Sequence, residues 1–356
     1  MDSFVQLSIN DLVACINGDF KVNYPPHNQV KNEFEKFVNK EISDRRKNST
    51  VSDMRNFHNF IKRTLIRNVC ELYRVQQKKP DISLLDIAVG RGGDLYKFHE
   101  VGIKNVFGFD KSSDSIESIN PFNQGAQERY RHYLEGPDKN KVNIEFSVGD
   151  AIQPSIELVN KIIAFMKNNN IHGFDILSCQ FAVHYFFQSE TALHNVFKAF
   201  SPLIKKGGYF IGTTVNGTKI TSLLQTSNEY NSDLLQITKR YRANVPRKAY
   251  GNQYTFKIND TIDQGNYFNT MGVSIEYLVS IPELIRVAGE YNFVPVFLNF
   301  FEPIPNKKNT YATTNEFVSF DDIYKLPKHG SWKGKSLNPD EQVLNNLYTT
   351  FVFVKK

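Results

Sequence analysis

Residues Leu84 to Phe98 read LLDIAVGRGGDLYKF, and this stretch decides the fold. Leu84, Leu85, Ile87 and Val89 make a buried strand, Gly90, Gly92 and Gly93 a turn, and a helix starts near Asp94. Glycine lets backbone come within contact distance of a ligand, which makes Gly90 a candidate contact. A second apolar run, Val106 to Phe109, ends at Asp110, about twenty residues past Gly90. That is the length of one strand-helix-strand unit, whose closing acid can hold a ribose. The unit reads as a nucleoside site, the alternative being a structural strand-to-helix turn. A dinucleotide fingerprint would place a third glycine where Leu95 stands, so a pyrophosphate and an oxidoreductase are both disfavoured. Asp86 in the strand and Asp94 at the helix start would repel phosphates. They suit a ligand carrying an amine and a sulfonium, which is S-adenosylmethionine.

Further along the chain, Val142, Ile144, Phe146 and Val148 alternate toward Asp150, Gly173 to Gln180 is a fourth strand, and Tyr209 to Thr214 follows the Lys206-Gly207-Gly208 turn as a fifth. Helices intervene: a capped one from Ser112 to Ile119, one carrying Glu128, Arg129 and Arg131, one over 155–168, and one from Glu190 to Phe200. This alternation predicts an α/β fold with a parallel sheet covered on both faces. Ligands then sit at the carboxyl ends of the strands, where Asp110, Asp150 and Gln180 fall. On the amino-terminal side, Ser52 or Asp53 is expected to cap a helix whose apolar face is Phe57, Phe60, Ile61, Thr64, Leu65, Val69 and Leu72. Residues 1–50, with NYPPHNQ, a short helix within 28–42 and dense charge, read as an extension or linker; the catalytic domain is expected over 51–356. Residues 218–272 are less regular and read as an insertion or lid. Strands are expected at 274–279, 294–301 and 348–354, a helix at 282–291, and a loop at 303–340.

A chain of 356 residues with 40% apolar content can bury a large core. Its net charge of +6 tolerates a polyanionic partner without proving one. No run approaches a membrane span and no secretory leader opens the chain, so an intracellular protein is expected. Cys15, Cys70 and Cys179 are odd in number and lack metal-ligand spacing; reduced thiols and no metal are expected.

The block DIAVGRGGDLYKF at 86–98, together with SCQFAVHYFF at 178–187, MRNFHNFIKRTLIR at 54–67 and GGYFIGTT at 207–214, resembles the mRNA cap guanine-N7 methyltransferases across residues 51 to 354. The resemblance implies a class I S-adenosylmethionine-dependent methyltransferase, Rossmann-like with a seven-stranded, mostly parallel sheet and a cap-binding insertion. It implies that Lys62 and Asp86 meet the methionine end of the donor, Asp110 its ribose and Asp150 its adenine, with Gln180 beside it. For the cap it implies Arg91 and Arg129 at the triphosphate, His58 and Asn59 on the cap side, His184 and Tyr185 at the guanosine, Glu276 at the guanine edge and Tyr348 at the base face. Taken alone, His184 and Tyr185 would read as core residues, and Arg129 as part of a solvated helix face. The implied partner is 5′-capped RNA, with other capping-enzyme domains or a stimulatory subunit, and neither DNA nor membrane.

The chain also departs from the family. Ala88-Val89 stands where the family has Gly-Cys, and His58-Asn59 replaces two asparagines. Such departures are of the kind seen in large DNA virus enzymes, which would work in the cytoplasm; a cellular enzyme would work in the nucleus. Two alternatives stay open from the residues: a methyltransferase acting on another nucleobase, and a non-catalytic RNA- or cap-binding or allosteric subunit, the latter motivated by Ala88-Val89. Guanine N7 is a lone-pair nucleophile with no proton to lose, so the absence of a convincing nucleophile-base pair agrees with the cap reading.

Overall fold

Strand β1 (Ser83–Ile87) is buried at every position, and β2 (Asn105–Asp110) and β4 (Phe174–Gln180) are buried at all but their last. Strands that hide both faces need helices above and below. With β3 (Asn143–Val148), β5 (Ile204–Val215), β10 (Phe293–Pro295) and β11 (Tyr348–Lys355) they form a seven-stranded sheet in the order β10-β11-β5-β4-β1-β2-β3. β11 is antiparallel to both neighbours, and the other paired strands are parallel. The chain therefore builds outward from β1 to β3, then returns to lay β4 on the other side of β1. The crevice at that reversal, at the carboxyl ends of β1 and β4, is where such sheets bind ligands.

This computed structural model describes residues 36–38, 40–44, 48–137, 141–242, 248–259, 273–297, 316–325 and 332–356. Two compact units divide the chain, 1–47 and 48–356. In the first, the described residues are helical. In the second, helix α1 (Ser52–Gln77) buries Phe57, Ile61, Leu65, Val69 and Leu72 and packs against β5. Its start differs from expectation. Val51 is the cap residue, neither Ser52 nor Asp53 caps with its side chain, and the Met54 N–H donates to Glu341 Oε1 at 3.0 Å. The other Glu341 oxygen accepts the Asn338 N–H at 3.0 Å, completing the capping box of α11 (Pro339–Asn346), so one carboxylate serves two helix starts.

Between the strands lie α2 (Leu95–Glu100), α3 (Ser113–Glu117, capped by Ser112), α4 (Ala126–Glu135), α5 (Ile156–Asn168), α6 (Val183–Phe186), α7 (Glu190–Phe200), α8 (Gly217–Leu223), α9 (Ile281–Glu290) and α10 (Phe320–Lys325). β5 begins at Ile204, five residues before the expected start, and takes the Lys206-Gly207-Gly208 turn in as an irregularity of its pairing with β4.

The described part of the region expected to be less regular forms strands. β6 (Glu229–Asn231), β7 (Leu235–Lys239) and β8 (Gln253–Ile258) join β9 (Ser274–Tyr277) in a second, antiparallel sheet. Its inner face, with Leu235, Ile237, Tyr254 and Phe256, is continuous with the main core. The expected loop at 303–340 contains α10 and the first two residues of α11. Of the strand expected at 294–301, β10 ends at Pro295 and residues 298–301 lie outside the described residues. Cys70 and Cys179 are free and buried, and Cys15 lies outside the described residues. No helix among the described residues is long and apolar enough to cross a membrane.

Candidate active site

Two strand ends flank the crevice, and each is followed by a residue in the left-handed region: Ala88 after β1 (φ 58°) and Phe181 after β4 (φ 57°). The other non-glycine residues with positive φ among the described residues, Lys78, Asn170 and Asn292, sit at helix ends, where that conformation is common. Strain of this kind gathers where a site must aim its groups. Phe181 is held there by its own N–H, which donates to Thr213 O at 2.9 Å and Thr213 Oγ1 at 3.1 Å.

On the β2 side, Asp110 orders the glycine turn. Its Oδ2 accepts the Gly90 N–H at 2.8 Å and its Oδ1 the Ser112 N–H at 2.9 Å. Gly90 has φ 55°, and a Cβ built on it would meet nothing within 4 Å, so open space lies over this turn. Asp150 sits one strand further out. It accepts the Ile152 N–H at 2.8 Å and pairs with Lys111 Nζ at 2.9 Å, and these partners hold its carboxyl below the usual range against the effect of burial.

In the strands themselves, a row of polar side chains crosses β5, β4 and β1. Thr213 Oγ1 donates to Gln180 Oε1 at 3.1 Å, Gln180 Nε2 donates to Ser178 Oγ at 3.3 Å, and Ser178 stands beside Asp86 in the register of β4 on β1. Burial, then the neighbouring Asp94, pushes the Asp86 carboxyl up to about 8. Asp94 behaves oppositely. Lys62 and Lys97 lie 2.7 and 2.8 Å from its Oδ1 and outweigh burial, lowering it to about 2. Lys62 is thus brought to the crevice from α1, and Lys97, itself buried, also donates to Gly93 O at 3.0 Å.

The small sheet meets α6 on the other side. Glu276 is 3% exposed, and accepts the Tyr254 hydroxyl on Oε2 at 2.6 Å and the Ser274 hydroxyl on Oε1 at 3.1 Å. His184 Nε2 is 3.8 Å from Glu276 Oε1. Neither His184 ring nitrogen has a hydrogen-bond partner among the described residues, and burial lowers its pKa against the pull of Glu276. Tyr185, 40% exposed, lies over it with ring centroids 4.1 Å apart.

Beyond these, His58, Phe181, Phe320 and Tyr348 form an aromatic cluster. His58 stacks on Phe181 at 5.4 Å and meets Tyr348 edge-on at 5.4 Å, and Phe181 meets Tyr348 at 5.2 Å. Burial and the adjacent Lys62 charge lower His58 to about 3, so it is a neutral ring and no phosphate-binding cation.

The expected residues thus fall into three groups: Lys62, Asp86, Gly90, Asp110, Asp150 and Gln180 at the strand ends; His184, Tyr185 and Glu276 between α6 and β9; His58 and Tyr348 in the aromatic cluster. Asn59 is half-buried on α1, and Arg129 half-buried on α4. Arg91 is turned onto its own chain, paired with Asp114 and donating to Asn123 O at 2.7 Å. Sequence reasoning assigned no role to Tyr254, Ser274 or Phe181. Phe181 stood inside a quoted motif, while Tyr254 and Ser274 carried no local signal, because their significance comes from strand pairing.

The strand order, the acids at the ends of β2 and β3 and the open glycine turn beside a buried acid define a class I S-adenosylmethionine-dependent methyltransferase, and the acidic, phosphate-repelling donor set fits that ligand. A family described as mRNA (guanine-N(7))-methyltransferase domain matches residues 21–356, and the chain belongs to it. The mRNA cap guanine-N(7) methyltransferase 1 of Arabidopsis thaliana is 24% identical over 343 residues, covering 92% of this chain and 81% of that one. The mRNA cap guanine-N(7) methyltransferase of Caenorhabditis briggsae is 29% identical over 265 residues, covering 72% and 65%. A solved S-adenosylmethionine-dependent methyltransferase from Clostridium acetobutylicum is similar at 14% identity with a TM-score of 0.47, covering 92% of this chain and 99% of that one.

Proposed function

We propose that this chain carries out the reaction of its family at the 5′ end of RNA, moving a methyl group from S-adenosylmethionine to N7 of the guanine in GpppN. The observation that carries the reading is the buried Glu276 carboxylate beside His184, whose ring Tyr185 flanks. Asp110 holds the donor's ribose with the lone pairs its backbone partners leave, Asp150 takes the adenine, and Lys62 and Asp86 receive the carboxylate and ammonium of the methionine end. Gln180 closes the row beside them. When bound, the donor supplies an electrophilic methyl group on a sulfonium.

The acceptor's N7 needs no general base, so the protein's work is alignment, which is worth about 7 to 11 kcal/mol when the reacting atoms are held at near-attack distance. Glu276 accepts from guanine N1–H and the 2-amino group and stabilises the positive charge that the methylated ring acquires. Adenine, lacking those donors, would leave the buried carboxylate unpaired. His184 and Tyr185 bound the guanosine, Tyr348 faces the base with the neutral His58 and Asn59 behind it, and Arg91 and Arg129 meet the triphosphate. The reading takes residues 51–356 as the catalytic part of the chain, with the described strands β6 to β8 of its insertion on the acceptor side, and residues 1–50 as an extension that would connect to other capping domains or a stimulatory subunit. Ala88-Val89 and His58-Asn59 support a large DNA virus enzyme acting in the cytoplasm.

The test is transfer of labelled methyl from S-adenosylmethionine to GpppG-capped RNA, with the digested product resolved. Label on N7 of guanine is expected. Label on a ribose or on another base would refute the reading.

A further inference from the structure

β8 and β9 run antiparallel, and Tyr254 stands directly opposite Glu276 in their register. The Tyr254 side chain is fully buried, as is the hydrogen bond it donates. A carboxylate offers about four in-plane acceptor sites, two per oxygen. Tyr254 uses one on Oε2 and Ser274 one on Oε1, which leaves one on each oxygen. The Watson–Crick edge of guanine carries donors at N1 and at the 2-amino group, one for each.

We propose that Tyr254 is the positioning residue of Glu276, fixing the carboxylate so that its two remaining acceptor sites meet the two donors of guanine and present no donor to adenine. The inference deepens the cap reading and rests on it. A Glu276 free to take up a proton would offer one donor and one acceptor, the complement of adenine N1 and its 6-amino group. Tyr254 opposes that exchange because it donates to the charged oxygen. Burial and the Glu276 charge push its own hydroxyl well above the usual tyrosine range, so it stays a donor. The other groups facing this pair are His184 and Tyr185 on α6, Tyr348 on β11, and Ser274 on β9 itself. His184 is neutral near pH 7 because burial depresses it, so it does not replace the lost hydroxyl as a partner for the charge.

Tyr254→Phe deletes one oxygen and keeps the ring that fills the core. By calorimetry with S-adenosylhomocysteine present, its GpppG affinity should fall about tenfold or more, the loss expected for one hydrogen bond to a charged group. ApppA should gain as a competitor, and donor affinity should hold. Glu276→Gln removes the charge that Tyr254 donates to, so adding Tyr254→Phe to it should cost GpppG affinity much less than Tyr254→Phe costs on its own. Wild-type GpppG affinity in Tyr254→Phe would overturn the inference, as would equal loss of donor and GpppG affinity. A wild-type protein that binds donor but not GpppG would instead overturn the cap reading on which the inference rests.

Discussion

Donor binding should tighten about tenfold between pH 6 and pH 7, because of one buried proton. Asp86 lies within β1 at 2% exposure, and burial followed by the Asp94 charge holds its carboxyl near about 8. At pH 7 about one molecule in ten then carries the charge that would receive the donor's ammonium, at a cost of about 1.4 kcal/mol that vanishes above pH 8. If binding requires that charge, log affinity rises with a slope approaching one below pH 8. Neither histidine of the site titrates in this window: His58 is at about 3 and His184 is also depressed, both chiefly by burial. A reference α-amino group titrates near 8, above the window. Calorimetry at pH 7 in two buffers of different ionisation enthalpy should report release of close to one proton per donor bound. Asp86→Asn should bind more weakly at pH 8 and show neither the slope nor the proton. A wild-type affinity that is flat from pH 6 to 7, or an Asp86→Asn variant that keeps the slope, refutes the reasoning.

Asp94→Asn should destabilise the protein by about 3 to 5 kcal/mol in urea denaturation at pH 7, since Lys97, 4% exposed, and Lys62 lose their shared counter-charge; a loss under 1 kcal/mol would contradict that pairing. The sign with pH follows: Asp94, lowered to about 2, contributes stability that is present above its unfolded value and lost as pH falls through about 2. Asp110→Ala should weaken donor binding by about 1.5 to 3 kcal/mol per charge-assisted bond lost, and unchanged affinity would remove Asp110 from the ribose. Raising salt should weaken GpppG binding more than donor binding if Arg91 and Arg129 meet phosphates, and equal slopes would argue against them. Ala88→Gly should relieve about 1 to 2 kcal/mol of left-handed strain, partly offset by about 0.5 to 1 kcal/mol of added chain entropy; a melting temperature several degrees lower would show that the methyl is not strained.

The main sheet was legible because each parallel strand writes itself locally, as an apolar run ending in a polar residue. Asp110, Asp150 and Gln180 could be placed from that alone. Of the second sheet only β9 was legible, in the strand expected at 274–279; β6, β7 and β8 were not, since they are three to six residues long and set among polar residues that blur the alternation a strand is recognised by. The start of α1 was missed for a related reason. Its orphan donor is satisfied by Glu341, 287 residues away, so no nearby side chain had to cap it. The family resemblance implied a phosphate role for Arg91, and the fold also gives it Asp114 and Asn123 as partners.

The departures at Ala88 and His58 gain meaning only in three dimensions. Ala88 occupies a left-handed backbone position that glycine takes without strain, so the sheet must hold it there, and the Val89 N–H bonded to Phe109 O at 3.1 Å is one tie that does so. Phe181 is tied in the same manner to Thr213 across β5. Both turns therefore take their direction from the last hydrogen bonds of the neighbouring strand, and what they carry is aimed by backbone pairing. This explains how a chain so divergent from its relatives can keep the crevice. Side chains around it, such as His58, are free to change provided the replacement still packs, and His58 does so as a neutral ring against Phe181 and Tyr348.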